Sequence, residues 1–225
     1  MKSFKLTTLA IGIAGLMTYP VASADDHGNT HQSTTGERTY QIIKGIPLNP
    51  EAYQPAAAEL VKEGIPEKYG HEEWAALVLT NEVHQHVGIY SIVGGKMGLR
   101  ARELLQATPR SVNVTVETGL HPPLSCIVDG LQVALGSTFA QDLIHAPATE
   151  SPQAAAVFEY KGRKLRLSLK ADVEQKIADA IAKAIKDCGN LTPAYYDRIE
   201  QLGYHTWAEL DRNTIFSETI FSEQK

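Results

Sequence analysis

His84 and His86, spaced i and i+2, are the residues of this 225-residue chain with the clearest capacity for chemistry. Neutral imidazole binds Zn, Fe, Ni or Cu, and thiolate is a common companion ligand. In a helix, side chains two positions apart point in opposed directions. In an extended or turn segment they lie on one side and can share an ion. Val83-His84-Gln85-His86-Val87-Gly88 falls where one helical pattern ends and another begins, so a non-helical connection is expected. His-x-His alone is a weak signal and needs a third donor. Cys126 is the first candidate, because it opens an expected helix whose N-terminus favours thiolate. Asp129 lies one turn later on the same face, and His121 and His145 are outside candidates. Two His, one Cys and an open position would make a roughly tetrahedral site. Lys96 and Arg100, spaced i and i+4, could hold an anionic cofactor; a solvated helix face explains them as well.

The elements that must position these residues are legible from periodicity. Helices are expected over 56–63, stopping at Gly64-Ile65-Pro66, and over 71–82, with Trp74, Leu77 and Val78 on one face. The next helix, 89–106, carries Ile92, Val93, Met97, Leu99, Leu104 and Leu105. Its Gly94, Gly95 and Gly98 lower helix propensity, and their expected use is close backbone packing. A strand over 111–118 precedes a helix over 125–135 that Pro122-Pro123 opens, then a short strand over 143–146. Residues 154–160 and 163–169 form a hairpin around Lys161-Gly162, with Leu165, Leu167 and Leu169 on one face. An amphipathic helix over 171–188 follows, with Val173, Ile177, Ala180, Ile181, Ala184 and Ile185 as its stripe and Gly189 as its stop. Two short helices, 192–202 and 205–212, complete the pattern. Trp74, Trp207, Tyr195 and Tyr196 read as packing residues. The fold class is α+β, an antiparallel or mixed sheet with several packed helices.

Lys2 and Lys5, an apolar run over 6–17, the Tyr19-Pro20 break and Ala22-Ser23-Ala24 read as a cleavable signal peptide, residues 1–24. Residues 25–38 read as a polar, disordered leader containing His27 and His31, and 39–225 as a single domain with a helical C-terminal tail. The expectation is export, to a periplasm or beyond. Loss of Lys2 and Lys5 takes the basic count from 21 to 19 against 26 acidic residues, a net charge of −7. That balance argues against nucleic acid and anionic membranes. No second apolar run reaches membrane length, so no membrane span is expected after cleavage. Cys126 and Cys188 are 62 positions apart. Under oxidising conditions they could pair, which would remove Cys126 as a ligand. Neither a G-x-S-x-G nucleophile context nor a Gly-rich phosphate loop after a strand is present.

Three stretches together resemble the FmdE family, which takes its name from formylmethanofuran dehydrogenase. His84-Gln85-His86-Val87-Gly88 leading into Ile92-Val93-Gly94-Gly95-Lys96-Met97-Gly98 is similar to the family's His-x-His segment and glycine-containing helix. Ser125-Cys126-Ile127-Val128-Asp129-Gly130-Leu131-Gln132-Val133 with Gly136-Ser137-Thr138 resembles its Cys-x-x-Asp-Gly-Ile-Gln…Gly-x-Thr segment. The hairpin and long amphipathic helix fit the same layout. The resemblance spans roughly residues 72–188. It implies an α+β fold, often a homodimer, that binds a transition metal, commonly zinc. It points to His84, His86 and Cys126 as ligands, with Asp129 nearby. Many members read His-Gly-His-x-Cys-Pro-Gly; here Gly88 stands where that Cys would be, and no C-terminal Cys-x-x-Cys ribbon follows. The expected function is an exported transition-metal-binding protein, zinc first, whose partner is the ion or a small metal-bearing ligand. One alternative is a haem or tetrapyrrole binding module, non-covalent because no Cys-x-x-Cys-His is present. Another is a metal-dependent enzyme or redox accessory protein with Asp129 as base.

Overall fold

Alternation in the hairpin sets the sheet. Leu165, Leu167 and Leu169 are all buried on one side of their strand, as their period of two requires. The structure, a computed structural model, describes residues 42–221. Its elements are α1 (Pro55–Lys62), α2 (Ile65–Tyr69), α3 (His71–His84), α4 (Ile89–Leu105), β1 (Asn113–Val116), α5 (Ile127–Leu135), β2 (Ile144–His145), β3 (Ala155–Tyr160), β4 (Arg163–Leu169), α6 (Ala171–Cys188), α7 (Pro193–Glu209) and β5 (Phe216–Phe221). The expected signal peptide and leader lie outside the described residues. Among these residues no helix is long and apolar enough to cross a membrane.

The sheet is mixed, in the order β2-β1-β3-β4-β5. β1 pairs with β2 in parallel and with β3 antiparallel; β3–β4 and β4–β5 are antiparallel. One face carries Val114, Val116, Phe158 and the three leucines into a core shared with Val93 and Met97 of α4 and Ile127, Leu131 and Leu135 of α5. The other face is wetter and holds a forked Arg166–Glu117 pair at 2.6–3.1 Å. A second core binds the remaining helices. Trp74 of α3 packs on Trp207 of α7 with ring centroids 4.8 Å apart, among Leu60, Tyr69, Val87 and Ile92. The two tryptophans therefore are packing residues. Tyr196 is not: it is 52% exposed.

The glycines of α4 act as their positions imply. A Cβ on Gly94 would lie 2.1 Å from the Ile127 carbonyl oxygen, and one on Gly98 2.8 Å from Ala134 Cβ. A Cβ on Gly130 would meet the Ser91 oxygen at 2.1 Å. α4 and α5 thus cross main chain against main chain. Gly95 faces the other way, toward Leu77 of α3.

Several expected elements differ. Gly64, left-handed at φ 74°, ends α1, but Pro66 falls in the first turn of a further helix, α2, where its missing N–H costs nothing. α3 extends to His84, two residues past the expected end. The expected helix start at Ser125 is a 3-10 turn, Leu124–Cys126, before α5 proper. α7 is one helix, not two: Gly203 does not interrupt it but lies against the Val87 backbone, where a Cβ would come within 2.3 Å of the carbonyl oxygen. The tail is not purely helical, because β5 returns to the edge of the sheet beside β4.

Candidate metal centre

The break between the two histidines is a single residue. Gln85 takes the left-handed conformation (φ 65°, ψ 11°) and ends α3 at His84. His86 follows outside the helix, and Gly88 caps α4 in extended conformation. Asn81 secures this corner. Its Oδ1 accepts from Gly88 N–H at 3.2 Å, and its Nδ2 donates to the Leu77 carbonyl at 2.8 Å. The Ser91 hydroxyl reaches the Gly88 carbonyl oxygen at 2.9 Å. Gly88 also leaves room for His84, since a Cβ there would sit 2.8 Å from its ring. The non-helical connection expected from the motif is present, and both imidazoles border one pocket.

His84 is the best-anchored side chain of the set, 10% exposed. Its Nδ1 lies 2.7 Å from Asp129 Oδ2. A carboxylate has no hydrogen to give, so Nδ1 carries the proton and Nε2 of the neutral ring presents a lone pair. Nε2 is buried and has no hydrogen-bond partner among the described residues. A buried polar atom without a partner costs about 1–3 kcal/mol, so its presence asks for an explanation. Asp129 reaches His84 across the packing of α5 on α3, while the Gly94–Gly130 crossing holds α5 against α4. Asp129 stands behind the ring and is not part of the pocket wall.

His86 is exposed and stacks on His84, with centroids 4.3 Å apart and planes tilted by 37°. Partial burial, and then the neighbouring His84, push its pKa below that of an ordinary histidine. Cys126 borders the same pocket and is unbridged, as is Cys188. Its expected thiolate character is not borne out. Burial, followed by the Asp129 carboxylate, pushes the thiol up, and the adjacent backbone N–H opposes this only in part.

The pocket has a volume of about 60 Å³. Ile89 and Tyr90 of α4, Ile181 of α6, and Tyr195 and Ile199 of α7 also form its wall. Sequence reasoning assigns none of these five to the site. Tyr90 follows the motif closely, and that adjacency is the one signal that could have found it.

The structure brings His84, His86, Cys126 and Asp129 together. It does not bring Lys96 and Arg100 to them. Lys96 is 0% exposed, 2.5 Å from Glu73 and over the Tyr69 ring. Its burial lowers its pKa, and Glu73 opposes that pull. Arg100 binds Glu218 at 2.7 Å and Asn213 at 3.0 Å. His121 is exposed in the loop before the 3-10 turn, and His145 sits on β2, 3.7 Å from Asp142.

Two imidazoles and a thiol around one small pocket suit a borderline-soft transition metal, and the orphaned Nε2 of His84 supplies a preformed ligand atom with its orienting carboxylate in place. Among the described residues, no three His, Cys, Asp or Glu side chains already form a metal-holding group.

A family model described as FmdE, Molybdenum formylmethanofuran dehydrogenase operon, matches residues 83–207. The matched span contains both histidines, Cys126, Asp129 and the greater part of α7. No curated protein matches the chain.

Proposed function

Because the chain belongs to the FmdE family over more than half its length, we propose that it holds a transition metal at His84 Nε2, His86 and Cys126. Membership is consistent with a metal-associated protein. The observation that carries the reading is the buried, unpartnered Nε2 of His84, backed at 2.7 Å by Asp129. That is the arrangement by which proteins fix the tautomer and direction of a ligating imidazole. Zinc is the first choice, since it accepts two imidazoles and one thiolate with a position to spare. When bound, the ion supplies a Lewis acid with one position open to a small donor.

The chain's own residues prepare this. His86 is held neutral by its surroundings to lower pH than an ordinary histidine, so its lone pair stays available. Cys126 would give up its proton on binding, since a coordinating thiol is deprotonated outright. The pocket of about 60 Å³ matches an ion with one small donor rather than a macrocycle. Export by the 1–24 segment and a homodimeric state are part of the same proposal. Export would put metal availability outside the cytoplasm in control of loading.

Elemental analysis of full-length protein from its native compartment tests the reading. About one equivalent of metal is expected, falling to background in His84→Ala/His86→Ala. Unchanged metal in that variant would overturn it. Light scattering of the same preparation gives the oligomeric state.

A further inference from the structure

α6 and α7 are joined by a short turn and pack on each other as a helical hairpin. Their seam borders two cavities in succession. The first is the histidine pocket, touched by Ile181 of α6 and by Tyr195 and Ile199 of α7. The second, about 300 Å³, begins one turn back along α6 at Ile177 and three residues on along α7 at Leu202. Ile89 belongs to the walls of both. The second cavity is mostly apolar, and Lys176, His205, Thr206 and Glu209 also line it. A volume of this size is at the lower end of the range for small-molecule sites.

Tyr90 adds an independent observation. It is 7% exposed and borders the histidine pocket. Burial also raises its pKa, which keeps the phenol protonated. Among the described residues no Lys or Arg borders the histidine pocket, and Lys96 and Arg100 are committed to Glu73 and Glu218. In the metal-free protein no cationic side chain of the pocket wall would neutralise an anion.

We propose that this seam is a ligand trough: the histidine pocket takes the polar head of a small uncharged amphiphile, Tyr90 hydrogen-bonds that head, and the cavity against Ile177 and Leu202 takes its apolar body. The ligand class rests on the proposed metal reading only for the head's coordination. The trough itself does not need the metal.

Isothermal titration with acetohydroxamic, butanohydroxamic, hexanohydroxamic and octanohydroxamic acids separates the two. Both zinc-loaded and EDTA-treated full-length protein are titrated. Affinity is expected to rise about fourfold per added methylene until the cavity is full, in both forms. The zinc form is expected to bind every member more tightly. Val173 also lines the second cavity and does not border the histidine pocket, so Val173→Trp should flatten the length dependence and leave the acetohydroxamic acid affinity and zinc content unchanged. Tyr90→Phe should weaken every member by roughly tenfold, the worth of one hydrogen bond. Its slope with chain length should persist. Equal affinity along the series in both forms overturns the trough, whatever the metal content. A slope with no zinc-dependent offset leaves the trough standing and overturns the metal reading. A slope that survives in folded Val173→Trp moves the binding elsewhere and overturns the proposal.

Discussion

At the scale of single residues, Asp129 decides how well His84 works. It touches the far side of the ring and lies outside the pocket wall, so its removal should weaken a metal without emptying the site. Asp129→Asn is expected to lower zinc affinity by about 10- to 100-fold, the usual cost of losing an orienting partner. Competition with a chromogenic chelator measures it. His86 gives a second expectation. Its folded pKa is depressed from 6.5 by burial and then by His84. As pH falls through the ordinary histidine range, the unfolded chain takes the proton first. The metal-free protein therefore loses stability on acidification until the depressed value is passed, and His86→Gln removes that part of the loss. Urea midpoints between pH 7 and 5, with and without the substitution, test the sign.

At the scale of elements, the glycine crossing positions the site. Gly130→Ala has no room, with a new methyl 2.1 Å from the Ser91 oxygen and 2.3 Å from the Gly95 nitrogen. Overpacking of this kind costs about 1–3 kcal/mol. Because it displaces α5 from α4, it should also reduce zinc affinity, which a merely destabilising core change would not. Denaturation and chelator competition on the same sample distinguish the two.

The elements with strong periodicity are readable from sequence. α4 begins at the expected residue, α6 has the expected bounds, and the β3–β4 hairpin differs by one residue at its start, because each buries a continuous stripe. The motif's helix break is readable too, since two periodic segments flank it. What stays hidden depends on partners distant in sequence. β5 reads as a mixed Phe-Ser-Glu-Thr-Ile-Phe segment, and only pairing with β4 makes it a strand. Gly203 resembles a helix breaker because its contact, the Val87 carbonyl, is more than a hundred residues away. The thiol of Cys126 misleads for a similar reason: a helix start suggests a low pKa, while burial raises it. Lys96 and Arg100 match anion-binding spacing, but Glu73 and Glu218 claim them in three dimensions.

At the scale of the molecule, the Lys96–Glu73 pair ties the helical layer together from inside. Both side chains are almost wholly buried, and Arg212, between α7 and β5, reaches Glu73 at 2.8 Å and Glu103 at 2.7 Å. Lys96→Met alone leaves a buried carboxylate short of a partner and should cost about 3–5 kcal/mol. Lys96→Met/Glu73→Leu removes both charges and should recover much of that loss, less what Arg212 gives up. Urea denaturation of the two variants checks the ordering.

The contact between Gly94 and Ile127, with its counterpart between Gly130 and Ser91, has one more consequence. Elsewhere in the core, helix spacing is set by side chains, which can change size or rotamer and let the layers breathe. At this crossing there is no such cushion, and the spacing is the van der Waals thickness of two peptide backbones. Side-chain exchange in the surrounding core can alter volume and softness without resetting this distance. The distance from α4 to α5, the helix that carries Asp129, is gauged by the polypeptide itself, a ruler that substitutions in the packed leucines and valines around it cannot recalibrate.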